Sequence, residues 1–114
     1  MNIKQGTFTA AESTQVEITL GFRPNYIAIW TEIDRISSHD MSYGMAYLYL
    51  NGETAGLMHT NDKSYGSGTT HEGIDYWGYA SYINIIPTAT SFAFKNTFNY
   101  AGSDPVLYSY LAIE

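Results

Sequence analysis

The stretch that most constrains this chain is TQVEITLGFRPNYIAIW, Thr14 to Trp30, because an alternating run meets a corner that no sheet ladder can cross. Val16, Ile18 and Leu20 fall on one face and Gln15, Glu17 and Thr19 on the other, the period-two pattern of a half-buried strand. Gly21 and Pro24 end it, since proline lacks an amide hydrogen for the ladder and fixes its own φ. Tyr26 to Trp30 then resumes as a strand with apolar residues on both sides, Ile27 and Ile29 against Tyr26, Ala28 and Trp30. Strand, corner and two-sided strand form the opening of a β-sandwich.

The remaining sequence extends that reading. Ile3 to Thr9 is a first strand, with AAEST from Ala10 to Thr14 as a polar turn. After Trp30, TEIDRISSHDMSYG loses alternation and reads as a long loop with one short helical turn. Gly44 to Leu50 is a strand ending at Asn51-Gly52, the pair that supplies both positive φ angles of a type I′ hairpin, and Thr54 to His59 should return beside it. Thr60 to Gly78 holds four glycines and little periodicity, and reads as a long loop of the kind that is functional or mobile. Tyr79 to Ile86, Ser91 to Asn96 and Val106 to Ile113 complete the set. The expected fold is all-β: an antiparallel, jelly-roll-like sandwich of about 7–8 strands spanning residues 1–114 as a single domain.

Composition narrows the function. Apolar residues make up 45% and charged ones 14% of 114 residues, against about 25% charged in an average domain, so a folded, sparsely charged surface is expected. Eleven acidic residues oppose five basic ones for a net charge of -6, which repels phosphate backbones. Lys4, Arg23, Arg35, Lys63 and Lys95 are scattered, so nucleic acid is not an expected partner. The absence of cysteine removes disulfides, thiolate metal sites and cysteine nucleophiles. MNIKQGTFTA has no signal-peptide pattern, and no apolar run approaches the ~20 residues of a membrane-spanning helix, so neither export nor a membrane partner is expected.

Two segments resemble a known group. GTFTAAESTQVEITLGFRPNYIAIW, near the start, and VLYSYLAIE, at the end, resemble small β-sandwich domains of bacteriophage virion structural proteins, of decoration, head-fibre or tail-fibre type. That resemblance implies a non-enzymatic virion component, made in the host bacterial cytoplasm, that acts through assembly as a homotrimer and with other virion proteins.

The two-sided strands suit that implication. The last strand sets Leu107, Leu111 and Ile113 against Val106, Tyr108 and Tyr110. One face fills a core, and the other is expected as a tyrosine-rich subunit interface with Tyr26, Trp30, Tyr47, Tyr49, Tyr108 and Tyr110 as its residues. The simpler alternative lays the tyrosine rings along the sheet with their hydroxyls in water.

No constellation for chemistry emerges. HEGID around His71 lacks the second histidine of a helical zinc site, and Asn61, Asp62, Glu72 and Asp75 lack the spacing of a calcium loop. No nucleophile elbow is present, and Gly66-Ser67-Gly68 has no following lysine. An enzyme, a metal and a cofactor are therefore not expected. The alternative function is a carbohydrate-binding module in which Tyr65, Tyr76, Trp77 and Tyr79 stack on a sugar beside His71 and Asp75. Against it stands packing of the same rings into one end of the sandwich.

Overall fold

The computed structural model describes residues 1–34, 40–63, 70–77, 83–97 and 105–114, with side chains over 1–31, 46–56, 83–97 and 105–114. Nine strands run through the described residues: β1 (Ile3–Ala10), β2 (Val16–Thr19), β3 (Tyr26–Asp34), β4 (Asp40–Leu50), β5 (Glu53–Lys63), β6 (Thr70–Trp77), β7 (Ile83–Pro87), β8 (Ser91–Asn96) and β9 (Val106–Ile113). They form two antiparallel sheets, a six-stranded one in the order β1-β9-β3-β4-β5-β6 and a three-stranded one in the order β2-β8-β7. The expected all-β sandwich is the observed fold. β1 pairs with β9 and β2 with β8, so the two ends of the chain wind together, whereas β3 to β6 continue as a meander along the large sheet.

The Gly21–Pro24 corner carries the chain from the small sheet to the large one. The amides of Leu20 and Gly21 both donate to the Thr90 carbonyl, at 2.8 and 2.9 Å, closing the end of the β2–β8 ladder. Gly21 then takes a φ of 87°, a left-handed value disfavoured for residues bearing a Cβ, and Phe22 and Pro24 are buried as the chain enters the core. The hairpin read at Asn51-Gly52 is present between β4 and β5, with φ of 47° and 102° at the two residues.

The core lies between the sheets. Phe92 and Phe94 of β8 are fully enclosed and meet Phe8 of β1 edge-on at 6.3 and 5.3 Å between ring centres. Tyr108 stacks on Phe8 at 5.3 Å and tilts against Phe94 at 4.9 Å. Ile27 and Ile29 of β3, with Ile83 and Ile85 of β7, close the apolar layer, each such side chain contributing about 1.5–3 kcal/mol by leaving water.

Two segments expected as loops are strands. β3 continues to Asp34 and β4 starts at Asp40, and residues 60–78 are largely the end of β5 and all of β6. The backbone ladders run in unbroken register from Tyr26↔Leu50 to Asp34↔Ser42 and from Gly56↔Trp77 to Lys63↔Thr70. Neighbouring strands satisfy the backbone there, so no side-chain alternation is needed to hold it. The short helical turn expected after Trp30 is not found at residues 31–34 or 40–44, which are strand.

Candidate functional site

The residues expected to bind a ligand sit on or beside β6. Tyr65 and Tyr79 lie outside the described residues. His71, Asp75, Tyr76 and Trp77 lie within β6, where the backbone register sets them opposite Asp62, Met58, Leu57 and Gly56 of β5. The supposed binding loop is thus in large part a strand of the six-stranded sheet.

The residues expected to form a subunit interface divide between the two faces of that sheet. Tyr26 and Trp30 stand on its outer face, 47% and 43% exposed. Tyr47, Tyr108 and Tyr110 are instead buried between the sheets, and Tyr49 packs against the same core. The expectation that they cover a second copy is corrected by that burial. The inward turn of β9 has a local cause: Gly6 lies directly opposite Tyr110, and a Cβ on Gly6 would come within 3.0 Å of the tyrosine ring. With no Cβ at Gly6 the ring lies across β1 and reaches Phe92, 5.6 Å away, and a Cβ there would make the ring give by a few tenths of an ångström. A glycine paired with an aromatic across two strands was the sequence signal for this packing.

With the tyrosines inside, the aliphatic side of β9 faces outward. The register aligns Ile3, Ile113, Tyr26 and Leu50 in one row across β1, β9, β3 and β4. Gln5, Leu111, Ala28 and Leu48 form the next row, and Thr7, Ser109, Trp30 and Ala46 the third. None of these twelve residues is charged. Ile3 and Leu50 of the first row are exposed, and Leu107, 60% exposed, extends the outer patch; sequence reasoning did not select these three for it. Where the β9–β3 ladder ends, Thr31 Oγ1 donates to the Leu107 carbonyl at 2.7 Å, beside an open cleft of about 370 Å³ lined by Trp30, Thr31, Leu107 and Ser109.

The outer face of the small sheet differs. It carries Glu17, Lys95 and Asn84, with Ile86 as its exposed apolar residue. Ser91 Oγ, itself buried, donates to Glu17 Oε1 at 2.7 Å and lies 2.6 Å from Thr88 Oγ1, which also accepts the Ser91 amide at 3.0 Å. This chain of hydroxyls fastens the β7–β8 turn.

Among the described residues, no group of three His, Asp or Glu side chains could hold a metal ion, and no helix is long and apolar enough to cross a membrane. Comparison with protein-family models, curated proteins and solved structures returned no match. The surface that stands out by its chemistry is therefore the uncharged patch that these three rows form on the outer face of the six-stranded sheet, across β1, β9, β3 and β4.

Proposed function

We propose that this chain is a non-enzymatic structural protein of a bacteriophage virion, a capsid decoration, head-fibre or tail appendage component that acts by assembling with copies of itself and with other virion proteins. The observation behind this reading is the outer face of the large sheet, where Tyr26, Trp30, Leu50 and Leu107 stand half-exposed with no charge among them. Interface centres are depleted in charge and enriched in Tyr and Trp, and a monomer gains nothing by leaving such a patch in water. The resemblance of the two chain ends to phage sandwich domains supplies the virion context and the trimer as one form of assembly.

Light scattering on a sizing column, repeated on dilution, tests this. A stable multiple of the 12.7 kDa chain is expected. A monomer that persists at high concentration overturns assembly as the mode of action.

A second reading, carbohydrate binding, has its support in the cleft beside Trp30, where an exposed indole adjoins the Ser109 hydroxyl. It predicts glycan binding that Trp30→Ala abolishes while the native mass stays unchanged. Loss of assembly with no glycan affinity in either protein counts against it.

A further inference from the structure

We infer that the outer face of the six-stranded sheet is a two-fold contact with a second copy of this chain, the two large sheets packing face to face. This rests on the assembly reading above and specifies which surface meets which, and in what number.

Area is the first support. Six strands about 4.8 Å apart and about 30 Å long along β3 present a face of roughly 850 Å². A standard interface takes about 800 Å² from each partner, so a stable pair engages nearly the whole of one such face, the acids bordering its uncharged rows included. The apolar rows, four strands wide and three residues deep, occupy the corner of that face where β1 and β3 begin and β4 and β9 end, and account for roughly 400 Å² of it, with Tyr26 and Trp30 flanking Ala28 on β3.

Charge is the second support. Each copy carries a net -6, so two copies repel except where their approach brings no acids together. The twelve residues of the three rows include no acid or base, and the acids at their borders are Glu53, opposite Leu50 on β5, and Glu32, at the next position of the same parity after Trp30 on β3. The polar outer face of the small sheet, with Glu17 and Lys95, has no comparable uncharged area.

The third support concerns the alternative of edge-to-edge pairing through β1. Lys4 is an inward-directed charge on that edge strand, and its Nζ donates to the Thr19 carbonyl of the small sheet at 2.9 Å. Such a lysine discourages continuation of the sheet into another chain. The face, and not this edge, is left for self-association. A self-complementary face gives a closed pair, which departs from the trimer implied by the resemblance.

The test is native mass across a dilution series for three proteins: the wild type, Tyr26→Glu/Trp30→Glu, and Ile86→Glu on the opposite face. Expected are a wild type near twice 12.7 kDa, a double variant near 12.7 kDa with unchanged β circular dichroism, and Ile86→Glu still paired. The double variant should dissociate at least a hundredfold more readily. A wild-type monomer overturns this inference together with the assembly reading. A wild-type trimer, or a folded double variant that remains paired, overturns the face-to-face contact and leaves assembly standing.

Spin-label distances provide a measurement independent of the double variant's folding, because the chain has no cysteine of its own. Ser109→Cys lies on the proposed contact face and Asn84→Cys on the far side of the small sheet. With sheets stacked about 10 Å apart, the two small sheets lie about 30 Å apart in the pair, so Ser109 labels should be closer to each other than Asn84 labels by more than about 10 Å. The reverse order overturns the arrangement.

Discussion

Asn96 Nδ2 donates a hydrogen bond to the Tyr108 hydroxyl at 3.2 Å, joining β8 of the small sheet to β9 of the large one inside the core. Burial raises the Tyr108 pKa above 10.0, and the bond to Asn96 opposes that shift by a smaller amount. The folded protein therefore keeps a phenol proton that the unfolded chain releases. Stability from this site is whole below about pH 10 and falls as pH rises toward the higher folded value. Tyr108→Phe should cost about 1–2 kcal/mol near pH 7, through the lost hydrogen bond, and should flatten the alkaline decline. Urea unfolding at about pH 7 and again above about pH 10 measures both effects. An unchanged alkaline slope would assign the decline to other groups.

Phe94 and Leu107 mark opposite ends of the packing scale. Phe94 is fully enclosed, against Phe8, Tyr47 and Tyr108, whereas Leu107 is 60% exposed on the outer face. Phe94→Ala should destabilise by about 3–5 kcal/mol through lost transfer energy and a cavity. Leu107→Ala should fall within about 0.5 kcal/mol for the isolated chain. Denaturant midpoints at low protein concentration provide the comparison. Equal costs would show that the sheet faces are not distinguished as described.

Gly6 tests the close approach beneath Tyr110. A branched side chain there meets a ring that is 5% exposed and already flanked by Phe8 and Phe92. Gly6→Val should cost about 1–3 kcal/mol, despite valine's better strand propensity, because the added methyls crowd a ring already packed in the core. Thermal unfolding measures the loss, and a stabilised variant would refute the contact.

Gly52 has open space around it but a φ of 102°, so its constraint is the backbone alone. Gly52→Ala should destabilise the β4–β5 hairpin by about 1–2 kcal/mol. Replacing it with a D-amino acid by chemical synthesis should restore most of the loss. No restoration would place the cost in side-chain contacts.

Local chain chemistry was enough to place the strands near both chain ends, the Gly21–Pro24 corner and the Asn51-Gly52 hairpin. Each rests on local physics: period-two alternation, a missing amide proton and positive φ. It also determined which residues share a face on β9, because strand parity is exact. Tertiary structure alone decided which of those faces is inside. Tyr108 and Tyr110 read as an outer patch because tyrosine carries a hydroxyl that prefers water or a partner. Inside the fold Tyr108 finds Asn96, and Gly6 makes room for the ring of Tyr110. The aliphatic residues Leu107, Leu111 and Ile113 are thereby left on the outer face. The extension of β3 and the presence of β6 were likewise decided by neighbours, since a strand held by ladders on adjacent backbones needs no alternation of its own. Parity is a property of the chain, whereas the choice of buried face depends on hydrogen-bond partners and space that distant segments supply.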